Sequence, residues 1–186
     1  MPPVRPDGMV KRSEVASMFF RLLNPVAHPD KNDPIEPTFT DVTEDAWYKQ
    51  AVMYLAEIEV FSGYKDGTFK PDAYITRAEF AAVCAKFDSL SYDGTNVFSD
   101  VADDHWAVAQ INSAYKKGWV TGYPDGSFQP DSCIRRAEAA SLINNVLNRS
   151  MDDAAKAAVP NPYRDLSKGH WGYGAIMEAS IEHEYT

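Results

Sequence analysis

The stretch GYKDGTFKPDAYITRAEFAAV, residues 63–83, returns as GYPDGSFQPDSCIRRAEAASL at 122–142, a spacing of 59 residues. The same spacing relates FTDVTEDAWYKQAV at 39–52 to FSDVADDHWAVAQI at 98–111. Two full units therefore run in register, and a period of this length marks a repeat architecture. A third unit is divided between the chain ends. YRDLSKGHWGYGAIMEA at 163–179 matches the first half of a unit, and RPDGMVKRSEVASMFFRLL at 5–23 matches the second.

Each unit reads as turn, helix, turn, helix. Ala51, Val52, Leu55 and Ile58 recur at helical spacing in a first helix, and Phe80, Val83, Cys84 and Phe87 in a second. The second stripe recurs at Val15, Met18, Phe19 and Leu22 and at Ala139, Leu142, Ile143 and Val146, so three equivalent helices should pack on one another. The Asp-Gly pairs flanked by aromatics predict tight hairpin-like turns rather than a sheet. One unit of about 60 residues buries little surface by itself, and half units in place of polar end caps favour a closed set of three. The expected fold is all-α, a pseudo-threefold bundle of three helix-loop-helix repeats with short β-hairpin-like turns. Residues 1–23 form the second half of a repeat, completing the bundle with the first half at 163–186. Full repeats occupy 39–88 and 98–148. Linkers fall at 24–38, 89–97 and 149–162, the last with room for a helical turn before its prolines.

Composition narrows the function. The 186 residues are 45% apolar, enough for a sizeable core, and carry a formal charge of -9. With no basic stripe to offset that charge, nucleic acid is not an expected partner. The chain has no run of about 18 apolar residues, so no membrane insertion is expected. The opening MPPVRPDG lacks the pattern of a secretion signal, and the chain starts inside a unit, as a fragment of a larger exported protein would. Cys84 and Cys133 match no zinc spacing, Cys84 lies on an apolar stripe, and His105 and His170 belong to no ligand cluster. No metal and no cofactor are expected. Nucleophile-elbow, zinc-protease, phosphate-loop and dinucleotide motifs are missing. Features repeated three times suit binding of a repeating polymer better than one asymmetric catalytic site, so the reading is not an enzyme.

Arg12, Arg77 and Arg136 occupy the same place on the first turn of a helix. A cation there opposes the helix dipole at a cost of a few tenths of a kcal/mol. It is either paired with an acid of the preceding loop, Asp72 or Asp131, or offered with helix amides to an anionic ligand. Thr76 and Glu79 read as a capping box, which Lys11 and Arg135 cannot complete at the equivalent positions. Trp47, Trp106 and Trp171, each expected to begin a first helix, suit a core or a sugar-binding face. Tyr64 and Tyr123 are placed to edge a groove. Asp66 and Asp125 form turns or bond a sugar hydroxyl, and Asp41, Asp100 and Asp165 are expected to bond local backbone.

The order F-x-D-V, then Trp, then G-Y-x-D-G-x-F-x-P, then T-R-A-E resembles the S-layer homology module, with ITRAE intact at 75–79. The resemblance covers essentially the whole chain. It implies modules in threes that hold bacterial surface proteins non-covalently on the cell wall, outside the cell. The implied ligand is a peptidoglycan-linked secondary wall polysaccharide bearing acidic groups such as pyruvate ketals. The signature arginine would contribute to grooves between units, which maps to Arg12, Arg77 and Arg136. KRSE at 11–14 and RRAE at 135–138 depart from the signature, so the Arg77 groove is the expected best site. The alternative is a protein interaction module that assembles with neighbouring S-layer proteins without glycan. On this reading Arg77→Ala should weaken wall binding and leave melting little changed.

Overall fold

The computed structural model describes residues 1–23, 39–86 and 90–181. The expected linker at 24–38, residues 87–89 with Phe87 of the second stripe and the end of the expected repeat 39–88, and residues 182–186 lie outside the described residues. Seven helices form among the described residues: α1 Arg12–Leu22, α2 Lys49–Glu57, α3 Arg77–Ala85, α4 Val108–Lys116, α5 Arg136–Val146, α6 Asp153–Ala158 and α7 Tyr173–Glu178. No strand accompanies them there, and isolated backbone bridges such as Lys11 with Tyr74 and Thr76 with Cys133 are all that is extended and paired. None of the helices is long and apolar enough to cross a membrane. The all-helical class follows directly from the stripes, because each spacing of three and four puts its apolar residues on one face.

The chain divides into two compact units, Val10–Ile75 and Met1–Met9 with Thr76–Thr186. In the first, α1 packs along α2. Val15, Ala16 and Phe19 of α1 and Val52, Met53 and Leu55 of α2 are buried, whereas Ile58, assigned to the stripe by spacing, is a half-exposed C-cap. In the second unit α3 packs along α4 and α5 along α7, while α3 touches α5 over a shorter length. The arginine-bearing helices thus use the following first helix as their main partner, where the sequence suggested mutual packing. Ala81 and Ala85 of α3, Ala114 of α4 and Ala139 of α5 are buried, and small buried residues let neighbouring helices approach closely. Helix α6 starts on Asp152, whose carboxylate accepts from Ala155 N at 2.7 Å.

The F-x-D-V motif has a precise long-range task. Asp100 accepts from the amides of Phe128 and Gln129, both at 2.7 Å, and Asp41 accepts from Phe69 and Lys70 at 2.8 and 2.7 Å. Asp165 does the same for Val4 and Arg5 at 2.7 and 2.8 Å. The second residue of each pair is left-handed, with φ of 57° at Gln129, 55° at Lys70 and 52° at Arg5. A non-glycine residue there costs about 1–2 kcal/mol, and two charge-assisted bonds offset it. These aspartates therefore clamp backbone far along the chain, not the local backbone expected of them. The phenylalanine of the same motif lies against the Gly-Tyr turn: a Cβ at Gly63 would collide with the Phe39 ring, and one at Gly122 with Phe98.

Asp100→Ala should lower the unfolding free energy by about 2 kcal/mol, against a change within about 0.5 kcal/mol for exposed Asp104→Ala; urea titration of the two variants checks this. The folded state also holds several carboxyls below their ordinary value. Asp66 and Asp125 are lowered first by the hydroxyls of Thr68 and Ser127 and then by the amides of the same residues. Asp93, bonded first by Thr95 N and then by Lys116, is lowered to about 2. Groups depressed on folding stabilise above their unfolded value near pH 4 and lose that effect as pH falls through the folded value. The melting temperature should therefore fall between about pH 4 and pH 2.

Candidate functional site: a groove over Arg77

Helix α3 begins on Thr76, which accepts from Glu79 N at 3.1 Å while Glu79 accepts from Thr76 N at 2.9 Å. Lys11 and Arg135 supply only the return half of this box, donating their amides to Glu14 and Glu138 at 2.8 Å. The box sets the helix start, and with it the point from which Arg77 projects.

Arg77 is buried, with 8% of its surface exposed. Its Nε donates to Phe128 O at 2.8 Å, Nη1 to Glu138 Oε1 at 2.9 Å and Nη2 to Thr121 O at 3.5 Å. The guanidinium also lies 4.9 Å from the Tyr123 ring centroid and 4.8 Å from that of Phe128. Arg12 repeats the arrangement: it is 3% exposed, donates to Phe69 O and Ser62 O at 2.9 Å, and sits over Phe61, Tyr64 and Phe69. The expected loop acids are not the partners. Asp72 takes Lys11 at 2.6 Å, and the carboxylate that meets Arg77 is Glu138 of α5. The first-turn arginine is thus a brace that ties its helix to a Gly-Tyr turn, which is why a cation persists against the dipole. Arg136, by its amide, donates to Gly8 O at 2.9 Å and is half-buried.

Above the Arg77–Glu138 pair lies an open groove of about 310 Å³. Tyr123 Oη donates to Glu138 Oε1 at 3.0 Å, and burial, ahead of the opposing field of Arg77, pushes the Tyr123 phenol up. Trp119 and Trp171 line the groove with Thr121, Gly122 and the α5 residues Ser141, Leu142 and Asn145. Asn145 Nδ2 donates to Trp119 O at 3.0 Å, fixing that side. Gly172 lets the preceding turn rest on α5, since a Cβ there would meet Ala137 Cβ at 2.6 Å. Beside Trp171, the His170 ring stacks at 5.6 Å with its Nδ1 accepting from Gly172 N, so Nε2 carries the proton and faces Asp7 at 3.4 Å.

Of the residues singled out from sequence, Arg77, Tyr123 and Trp171 meet in this groove. The three repeated tryptophans are not core: Trp47, Trp106 and Trp171 are 67%, 60% and 61% exposed. They also precede the helices by two residues, in turns, because α2, α4 and α7 start at Lys49, Val108 and Tyr173. Tyr64 is partly exposed beneath Lys70, whose ammonium is 4.1 Å from its ring. Asp66 and Asp125 close their own turns, accepting from the amide and hydroxyl of Thr68 and Ser127. Sequence reasoning passed over Glu138, which reads as a cap residue, and Trp119, whose place is Val60 in the other full unit. The mismatch at that aligned position was the available signal.

Removing the buried guanidinium leaves the Glu138 carboxylate without its counter-ion and the Phe128 and Thr121 carbonyls without this donor. Arg77→Ala should therefore destabilise the protein by about 3 kcal/mol or more, contrary to the unchanged melting expected from sequence. Arg77→Lys should recover only part of the loss, because one ammonium cannot serve three acceptors spread around a planar fork. Denaturant unfolding of both variants is the measurement.

The S-layer homology domain family model matches residues 38–81 and 97–140. The chain is 38% identical over 187 residues to a cellulosome-anchoring protein of Acetivibrio thermocellus, covering 97% of this chain and 40% of that protein. It is 34% identical to cell surface glycoprotein 1 of the same organism, covering 97% of this chain and 8% of the relative. A cell surface protein of Thermoanaerobacter kivui is 32% identical over 76% of this chain and 17% of its own length. The chain spans less than half the length of each of these relatives.

Proposed function

Because the chain belongs to the S-layer homology family, with modules at 38–81 and 97–140, we propose that it is a non-covalent anchor binding an acidic, peptidoglycan-linked wall polysaccharide outside the bacterial cell. The observation that carries this reading is the groove over Arg77, which is of sugar size and flanked by an exposed indole. Aromatic faces cover the apolar side of a pyranose, while Tyr123, Glu138, Ser141 and Asn145 can exchange hydrogen bonds with its hydroxyls. The arginines act here as the frame of the groove. Similarity to a cellulosome-anchoring protein supports a tethering task in which the module carries attached cargo and does no chemistry itself.

A third module, split between 163–186 and 1–23, completes the proposal. Its support is the Asp165 clamp on Val4 and Arg5, made with the same atoms as the clamps of the two full modules. Further helix-start amides point the same way. Arg77 N and Ala78 N donate to Ser132 O and Pro130 O, and Arg136 N and Ala137 N donate to Gly8 O and Pro6 O. Three weak sugar sites on one polymer would gain avidity through effective concentration, enough for a tether without a covalent bond.

Co-sedimentation with purified wall sacculi, before and after acid extraction of their secondary polymers, tests the proposal. Trp171→Ala, an exposed change that should leave the melting temperature within about 2 °C, is expected to reduce binding at least 5-fold on unextracted walls. Binding that survives extraction, or depends on protein concentration through self-assembly without sugar, would favour the S-layer assembly reading.

A further inference from the structure

We propose that the cleft between residues 91–97 and the C-terminal half of α4 is a second carbohydrate site, separate from the groove over Arg77, that takes a single uncharged sugar ring. That this ring belongs to a wall polymer rests on the anchoring reading.

The cleft exists because α4 holds the preceding segment at two points and leaves it arched between them. Ser113 Oγ accepts from Ser91 N at 2.8 Å, and Asn112 Oδ1 accepts from Val97 N at 2.9 Å. The Asn112 Nδ2 group donates to Asn96 Oδ1 at 3.1 Å and to Val108 O at 2.9 Å, which locks the second peg. Between the pegs the chain turns at Asp93-Gly94-Thr95, where Gly94 takes a φ of 91° and Thr95 N donates to Asp93 Oδ1 at 3.0 Å. Lys116, the last residue of α4, reaches Asp93 Oδ2 at 3.2 Å. The space left under the arch is about 170 Å³, the volume of about six waters and the size of one sugar ring.

Its lining has the chemistry that a sugar needs. Tyr115, 44% exposed, is held edge-on against Phe98 with ring centroids 5.3 Å apart, and Tyr92 lines the cleft with it. Each ring brings an apolar face and a hydroxyl. Asp93 is a carboxylate at any physiological pH, lowered to about 2 by the Thr95 amide and then by Lys116. Its Oδ2 can accept one more bond and the Lys116 ammonium has two further N–H groups, so neighbouring sugar hydroxyls can join the ion pair without breaking it. The two charges offset each other, which suits a neutral guest.

The fold does not require these residues. Aligned by the repeat, the place of Asn112 is Met53 in α2 and Met177 in α7, that of Ser113 is Tyr54 and Glu178, and that of Tyr115 is Ala56 and Ser180. Met53 and Met177 are buried, so an apolar side chain serves the core at this place. The Asn112 amide, 5% exposed, serves the arch instead. Pegs and tyrosine are therefore particular to α4, and they preorganise a cleft that the other first helices do not build.

Two probes test the site on the isotope-labelled full chain, followed by NMR: N-acetylglucosamine, and the polymer released from sacculi by acid. Saturable shifts of the Ser91, Thr95, Val97 and Lys116 amides are expected with at least one of them. Tyr115→Ala and Asn112→Met, which place in α4 the residues that α2 has there, should each weaken that binding at least 5-fold while the amide spectrum away from the cleft is kept. No shift at these amides with either probe, or affinity unchanged in both variants, would overturn the inference. Sacculus co-sedimentation runs alongside. Walls that bind the chain while the cleft signals stay still leave the anchoring reading in place and remove this one. Cleft signals that move with N-acetylglucosamine when sacculi do not bind do the reverse.

Discussion

A carboxylate that satisfies two consecutive backbone amides, the second on a left-handed residue, is the interaction from which the rest of this structure is built. Asp100 imposes it on Phe128 and Gln129. Phe128 then presents its carbonyl to Arg77 Nε and its ring to the guanidinium, while Phe98 of the same motif packs 5.1 Å from the Phe128 ring and closes against Gly122. The turn that forms one wall of the groove is thus held by residues some thirty positions earlier in the chain. Asp41 holds Phe69 and Lys70 in the same way, and Arg12 takes the place of Arg77 there. The motif needs an aspartate because a carboxylate can accept two amide bonds side by side and its charge strengthens both.

The brace built on this clamp has a consequence for recognition. A guanidinium that is buried, paired with a carboxylate and stacked on two rings contributes rigidity and shape, and little net field. What the groove offers is aromatic surface at Trp171 and Trp119 with neutral polar groups between them. That composition suits sugar rings, whose faces are apolar and whose edges are hydroxylated. Such contacts are weak singly, and repetition along a polymer is the physical route by which a small module gains a firm hold. Membership of the S-layer homology family supports a cell-surface anchoring module, and the proposed sugar contact rests on this chemistry.

Repetition also lets the modules diverge. The elements that hold the fold are alike in the two full units: aspartate clamp, Gly-Tyr turn, first-turn arginine and returning glutamate. The positions that vary lie on the groove surface, such as Trp119 against Val60 and Asn145 against Lys86. Changes there alter surface chemistry without touching the clamps or braces.

By itself the sequence determined the repeat period, read by comparing the two full units, and the helices, the turn chemistry and the capping box of Thr76 and Glu79, each of which depends on residues within one or two turns of each other. It also singled out Arg77, Tyr123 and Trp171, each as a member of its own repeated set. Only the tertiary structure shows what they touch. Glu138 lies 61 residues from Arg77 and Asp100 lies 28 from Phe128, and nothing in local spacing says that an acid read as a cap will also neutralise a distant arginine. Nor could periodicity tell that Trp47, Trp106 and Trp171 face solvent, since a repeated aromatic fits a core as well as a binding face. Burial and pairing are properties of the packed chain, and of the two roles open to the arginine of ITRAE they show the pairing, made with Glu138 rather than with a loop acid.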